Sequence, residues 1–179
     1  MKIAFCDNSL RELLNFRQPI MESFLNAGLE IVAICPKNHN VPNLGRGFKF
    51  VPVKLSRGGM NPFKDILYFF KLLKIYRTEK VEYVFHYTIK PNIYGTVAAR
   101  LLGIRSTMMI AGLGYVFTAN NIGSYIGRCM YRIAIIFSEH VLVLNQYNYD
   151  LLLEKKMVNE NKLILLEGGE GLDLRKYDI

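Results

Sequence analysis

Residues 81–110 read VEYVFHYTIKPNIYGTVAARLLGIRSTMMI, and the fold is decided here. An apolar run, Val81–Tyr87, gives way to Asn92–Leu102, where apolar residues recur at helical spacing. Gly103 stands where a left-handed residue closes a helix, and a second apolar run, Thr107–Ile110, follows. Strand, helix and strand in this order form a crossover unit that joins parallel strands. The run MMI is continuous rather than alternating, as are IVAIC and VLVL elsewhere in the chain. Strands covered on both faces read this way.

The pattern extends in both directions. Further strands are predicted at Lys2–Cys6, Glu30–Cys35, Lys49–Val53, His140–Leu144 and Lys162–Leu166, and further helices at Leu13–Ala27, Pro62–Glu79, Ile122–Phe137 and Gln146–Lys155. Gly28 closes the first helix as Gly103 closes the third. Asn61 before Pro62 supplies a cap followed by proline at the first helical position. Between Pro36 and Gly47 the composition turns to Pro, Asn, Gly and His without a period, and a surface loop is expected. The resulting fold class is α/β: a doubly wound, mainly parallel sheet of about seven strands, Rossmann-like, with helices on both faces. Residues 1–166 form this domain. The segment 167–179, EGGEGLDLRKYDI, reads as a linker toward a second domain, so half of a two-domain protein is expected.

The 179 residues provide for one domain at roughly 150 residues each, and 51% apolar content with 11 Phe and 11 Tyr excludes disorder. Lys and Arg outnumber Asp and Glu by 23 to 15, a formal charge of +8. That balance suits an anionic partner: phosphate, nucleic acid or an acidic membrane surface. Cys6, Cys35 and Cys129 are odd in number and show no metal-ligand spacing, which implies a reducing compartment and no metal. The segment MKIAFCDNSL lacks a signal-peptide apolar region because Asp7 interrupts it, so a cytoplasmic location is expected. The longest apolar stretches, Ile66–Leu73 and Ile133–Phe137, fall short of the ~20 residues needed to span a bilayer.

In an open parallel sheet, ligands bind beyond the carboxyl ends of the strands, where the strand order reverses. The first strand delivers Asp7, Asn8 and Ser9 to that rim, without a dinucleotide fingerprint or a P-loop. The fourth delivers His86, Tyr87, Thr88 and Lys90. The fifth delivers Gly112, Gly114 and Tyr115, where the glycines would let a ligand approach the backbone. The sixth delivers Asn145. Each has a plain alternative: His86 as a satisfied core residue, Lys90 as a solvated cation, the glycines as turn formers, Asn145 as a helix cap. No paired carboxylates and no Ser/His/Asp or Cys/His set occur at usable spacing, which excludes a self-contained hydrolase.

Two predicted helices combine apolar and basic residues. PFKDILYFFKLLKIYRTEK (Pro62–Lys80) carries Lys64, Lys71, Lys74 and Arg77 beside Phe63, Phe69 and Phe70, and Ile122–Phe137 carries Arg128 and Arg132 beside Ile126. They read either as core helices with snorkelling cations or as elements that lie on an anionic membrane. No signature of a nucleic-acid-binding fold is present, so no nucleic-acid partner is expected.

The segment HYTIKPNIYGTVAARLLGIRSTMMIAGLGYVFT (His86–Thr118), with LSRGGMNPFKDI before it and EGGEGLDLRKYD after it, resembles the N-terminal domain of family 4 glycosyltransferases of the GT-B fold. The likeness is to bacterial enzymes of capsule, O-antigen and glycoprotein glycan assembly. It implies a retaining transferase that takes a sugar from a nucleotide sugar and gives it to an undecaprenyl-diphosphate-linked acceptor at the cytoplasmic membrane face. The N-terminal domain would hold the acceptor, and a C-terminal domain, not contained in these residues, the nucleotide sugar. No cofactor is implied beyond that co-substrate. Asp7-Asn8-Ser9 stands where many members have a glycine-rich loop, and Ala111-Gly112 where several have a histidine. His86 is therefore the rim histidine carried over as the catalytic residue, orienting a sugar group by hydrogen bonding. Asn8, Tyr87, Thr88, Lys90, Gly112, Gly114, Tyr115 and Asn145 are carried as substrate-binding residues. Two other readings stand beside it: a non-catalytic membrane-docking subunit of a split glycosyltransferase, and a single-domain nucleotide-binding protein.

Overall fold

A computed structural model describes residues 1–37, 47–55, 61–118 and 121–170. All seven predicted strands are present: β1 (Lys2–Cys6), β2 (Glu30–Cys35), β3 (Phe48–Pro52), β4 (Tyr83–Tyr87), β5 (Arg105–Ile110), β6 (His140–Val143) and β7 (Leu163–Leu165). They form one sheet in the order β3-β2-β1-β4-β5-β6-β7, and every pairing is parallel. The chain builds outward from β1 to β3, then crosses back to place β4 beside β1. The strand order therefore reverses between β1 and β4, which opens a crevice beyond their carboxyl ends.

The helices are α1 (Leu10–Glu12), α2 (Gln18–Asn26), α3 (Pro62–Glu79), α4 (Thr96–Leu101), α5 (Gly114–Thr118), α6 (Ile122–Phe137) and α7 (Gln146–Glu154). Tyr68, Leu72 and Tyr76 of α3 and Ala98 and Ala99 of α4 pack on Ala4, Cys6, Val32, Ile34 and Val84 of the sheet. On the same side, Tyr131, Ala134 and Ile135 of α6 and Leu152 of α7 cover Met108, Ile110, Val141 and Val143. The opposite face is covered by Leu10, Leu13 and Met21 over Ile3, Phe5, Ala33 and Tyr87. Each fully buried Leu or Met contributes about 1.5–3 kcal/mol of transfer free energy, which is why the apolar runs of the sequence become the inner layer.

Local signals set most boundaries. The Asn61 side chain accepts from the Lys64 N–H at 3.1 Å and Pro62 follows it, so α3 starts as expected. Gly28 and Gly103 adopt φ of +81° and +71° at the expected helix ends. Three features differ from expectation. The first helix begins at Leu10 rather than Leu13, because Ser9 caps it by accepting from the Glu12 N–H. Two helical stretches predicted as regular contain wide π turns instead: π1 (Leu13–Arg17) between α1 and α2, and π2 (Pro91–Gly95) before α4. The glycine stretch after β5 winds into the short helix α5. The expected loop at Pro36–Gly47 falls largely on residues 38–46, and the expected linker largely on residues 171–179, both outside the described residues.

Candidate functional site

A cavity of about 340 Å³ lies in the crevice at the reversal point. Asn8 enters it from the end of β1, Thr88 and Lys90 from the end of β4, and Ala111 and Gly112 from the end of β5. Arg17 comes from π1 and Asn92 from π2, while Tyr131 of α6 and Met109 of β5 close the interior. A π turn rotates the side chains that follow it relative to a regular helix and recurs at functional sites. Here each of the two π stretches turns one polar side chain into the crevice.

Two buried polar atoms on residues of the cavity wall have no hydrogen-bond partner among the described residues: Thr88 Oγ1 and Asn92 Oδ1. A buried polar group without a partner costs roughly 1–3 kcal/mol, so their convergence on one crevice marks a place where a ligand supplies the missing bonds. Thr88 also has φ of +67°. A β-branched side chain in the left-handed region is strained, and such strain gathers at functional sites.

Behind the cavity, the Arg17 guanidinium lies 4.5 Å above the Tyr87 ring. Its Nε is 3.9 Å from Asp7 Oδ2 and 3.0 Å from Glu170 Oε1. Asp7 is fully buried, and burial pushes its carboxyl up to about 6 against the opposing pull of Arg17 and of the Asn8 N–H. Burial raises Glu170 as well, again with Arg17 opposing. Lys90 donates to Asp65 Oδ1 at 2.6 Å, tying the crevice to the first turn of α3. Both cations among the described lining residues are thus engaged by carboxylates.

His86 does not reach the rim. Its side chain is fully buried on the α3 side of the sheet, with Nε2 2.9 Å from Tyr76 Oη and Nδ1 3.2 Å from Thr96 Oγ1. A neutral imidazole with one nitrogen donating and the other accepting has nothing left for a ligand. Burial holds it neutral, with its pKa lowered to about 3. The geometry therefore corrects the catalytic expectation to the core alternative. The reason is the strand period of two: the side chain of His86 follows Val84 inward, and the chain reaches the rim only at Thr88. A Cβ on Gly95 would lie 2.4 Å from His86 Cδ2, so the glycine of the YTIKPNIYG run is the space His86 occupies.

Of the other expected residues, Asn8, Thr88, Lys90 and Gly112 line the cavity. Lys90 does so as a paired cation rather than a solvated one. An added Cβ on Gly112 meets nothing within 4 Å, so this backbone is open to a ligand. Tyr87 is buried beneath Arg17 and lines a second hollow of about 320 Å³ that Arg17 shares with Glu170. Asn145 is the cap of α7, accepting from the Asn148 N–H at 2.8 Å, and is absent from the cavity wall. Gly114 opens α5 with φ of +53°. Tyr115 lies in α5, and its side chain is outside the described residues. Sequence reasoning missed Arg17, Asn92 and Tyr131. Each sits inside a stretch of helical period and reads as an ordinary helix residue; only the Pro91-Asn92 pair at a helix start gave a local signal.

The two apolar and basic helices differ. On α3, Phe63, Ile66, Leu67 and Phe70 are all more than half exposed and follow the i, i+3, i+4, i+7 spacing of one face. Lys64, Lys71, Lys74 and Arg77 are exposed around and beyond them, while Phe69 packs against the core. On α6 the exposed residues include Ile122, Tyr125, Ile133 and Ile136, but the arginines turn to backbone carbonyls: Arg128 to Val116 and Arg132 to Lys156. Among the described residues no helix is long and apolar enough to cross a membrane, and no cluster of three His, Cys, Asp or Glu is placed to hold a metal.

Residues 2–145 match the family model described as glycosyl transferase 4-like. The chain belongs to this family. This glycosyl transferase 4-like chain is 23% identical to the Campylobacter jejuni N,N'-diacetylbacillosaminyl-diphospho-undecaprenol alpha-1,3-N-acetylgalactosaminyltransferase, over 99% of the chain and 48% of the relative. It thus spans about half the length of that relative. Among solved structures, a glycosyltransferase from Rickettsia africae superimposes with a TM-score of 0.68 at 15% identity, over 93% of the chain and 42% of the other. A UDP-GlcNAc 2-epimerase from Neisseria meningitidis bound to UDP-GlcNAc gives 0.65 at 11% identity, over 92% and 46%. These two likenesses carry the fold: a doubly wound, Rossmann-like parallel sheet.

Proposed function

We propose that this glycosyl transferase 4-like chain is the acceptor-binding N-terminal half of a retaining glycosyltransferase that moves a sugar from a nucleotide sugar to an undecaprenyl-diphosphate-type lipid-linked glycan at the cytoplasmic membrane face. Residues 1–166 form the acceptor domain, and 167–179 lead toward a C-terminal domain that holds the donor. One observation carries the reading: a crevice with unsatisfied polar atoms lies beside an exposed apolar and basic helix face. Helix α3 starts beyond the carboxyl end of β3, and the Lys90–Asp65 pair joins its first turn to the crevice wall. A lipid-linked sugar needs these two surfaces side by side: polar groups for the saccharide, and an apolar face with cations for the lipid and its phosphates. The name of the Campylobacter jejuni relative, a transferase acting on an undecaprenol-linked diphospho sugar, supports the same chemistry.

Each cation held near an anionic surface contributes about 1 kcal/mol. With three of the four basic residues of α3 engaged, adsorption gains roughly 3 kcal/mol before apolar insertion, enough for reversible binding. Co-sedimentation tests this. The chain is expected on phosphatidylglycerol vesicles, far less on neutral ones, and released by about 0.5 M salt, where screening acts over a few Å. Adding a polyisoprenyl diphosphate sugar to the vesicles should raise binding further. Equal binding to neutral and anionic vesicles, or none to either, refutes the membrane assignment. The chain alone is expected to transfer no sugar, and turnover of a nucleotide sugar by it would overturn the division of labour between the halves.

A further inference from the structure

We infer that Asn92 and Tyr131 form a neutral subsite in the crevice that takes a hydroxyl group of the acceptor's saccharide and discriminates against phosphate. The inference rests on the acceptor reading of the crevice given above. Asn92 is fully buried and Tyr131 nearly so, and both line the cavity. The Asn92 amide orientation follows from its neighbour: Nδ2 donates at 2.7 Å to the carbonyl oxygen of Met109, a group that can only accept. Its Oδ1 is then fixed as an acceptor and has no donor. Nδ2 lies 3.4 Å from Tyr131 Oη, which accepts there and keeps its own proton to donate.

The subsite therefore offers one lone-pair acceptor beside one O–H donor. A sugar hydroxyl, which donates and accepts through a single oxygen, matches both. An ionised phosphate oxygen accepts only, and it would face the Asn92 lone pair without benefit. Among the described residues no surplus cation offsets this: Lys90 is paired with Asp65, and Arg17 sits between Asp7 and Glu170. Two cations against three carboxylates leave the described part of the crevice with no net attraction for an anion. Thr88 Oγ1, an unpartnered hydroxyl on a wall residue, extends the same chemistry toward the rim. The phosphates of a lipid-linked acceptor then belong outside the crevice, toward the exposed lysines of α3.

The test compares two soluble probes by calorimetry with the 179-residue chain: farnesyl diphosphate carrying N-acetylglucosamine, and farnesyl diphosphate without the sugar. The unaltered chain is expected to bind the sugar-bearing probe at least about tenfold more tightly. Tyr131→Phe keeps the ring and the 2.7 Å Asn92–Met109 bond and removes the hydroxyl, that is, the free donor together with the longer 3.4 Å contact from Asn92 Nδ2. It should weaken the sugar-bearing probe about tenfold, the worth of one neutral hydrogen bond, while leaving the bare diphosphate unchanged. Equal affinity of the unaltered chain for both probes overturns the subsite without recourse to any variant. A Tyr131→Phe loss that is the same for both probes, or absent for both, also overturns it. If neither probe binds the unaltered chain, the acceptor reading itself fails.

Discussion

Gly95→Ala tests whether His86 belongs to the core. The glycine has an ordinary helical backbone, so it is kept for space and not for φ: an added Cβ would lie 2.4 Å from His86 Cδ2, 2.5 Å from Nε2 and 3.0 Å from Tyr76 Oη. The imidazole has no easy retreat. It is fully buried and anchored at both nitrogens. Forcing a methyl group into a packed core costs about 1–3 kcal/mol, and displacing the ring leaves at least one buried polar group unpaired for a further ~1–3 kcal/mol. The expected loss is about 4 kcal/mol. For a chain of this length that lowers Tm by roughly 10 °C at 2–4 °C per kcal/mol, and urea titration followed by circular dichroism measures it directly. Removing the ring as well should reverse part of the effect: His86→Ala/Gly95→Ala is expected to be more stable than the sum of the two single variants by over 1 kcal/mol, about the coupling found between touching residues. His86→Ala should leave binding of a lipid-linked sugar intact. A Gly95→Ala chain as stable as the parent, or a His86→Ala chain that keeps its stability and loses the ligand, would refute the reasoning and return His86 to the site.

Three further outcomes follow from the same structure. His86 titrates at about 3 when folded and about 6.5 when unfolded, so the unfolded chain takes up the proton first and stability falls on acidification between those values, by about 2 kcal/mol from pH 7 to pH 5; Asp7, raised from 3.8 to about 6, works in the opposite sense and offsets about 1 kcal/mol over that range. Urea titrations should therefore show a steeper acid loss in Asp7→Asn than in the parent, and parallel curves would contradict the assignment. Thr88→Gly relieves the positive φ and should stabilise the chain by about 1 kcal/mol net of the added chain entropy, while weakening sugar binding because Oγ1 is lost; a drop in stability would show that Thr88 is not strained. Replacing Lys71, Lys74 and Arg77 together with Gln should lower adsorption to anionic vesicles without moving Tm, since all three are exposed, and unchanged adsorption would clear α3 of the role.

The sheet was legible because its signals are local. Short continuous apolar runs rich in β-branched residues, such as IVAIC, read as strands buried on both faces, and Asn61-Pro62, Gly28 and Gly103 mark helix ends through side-chain and backbone chemistry within a few residues. The reversal of strand order and its crevice followed from the fold class. The wall of the crevice was only half legible. Asn8, Thr88, Lys90 and Gly112 could be placed by counting past strand ends, but His86 could not, because one residue decides which face of the sheet a side chain takes. Arg17 and Asn92 reach the crevice through π turns, and nothing in LLNFR or PNIYG tells an i+5 hydrogen bond from an i+4 one. Tyr131 enters from a helix distant in sequence, a contact that periodicity alone does not reveal. Lys90 illustrates a further limit: its cation was visible, and its partner Asp65, 25 residues away, was not.

The central claim, that the crevice between β1 and β4 takes the saccharide while α3 takes the lipid, is tested most directly by mapping backbone and side-chain amide resonances of the isotopically labelled chain as farnesyl diphosphate carrying N-acetylglucosamine is added. Asn8, Thr88, Asn92 and Gly112 are expected to shift together and saturate with one affinity, Phe63–Phe70 to shift with them, and farnesyl diphosphate alone to move only the α3 group. Shifts confined to other surfaces, or a crevice that stays silent while the ligand binds, would contradict it.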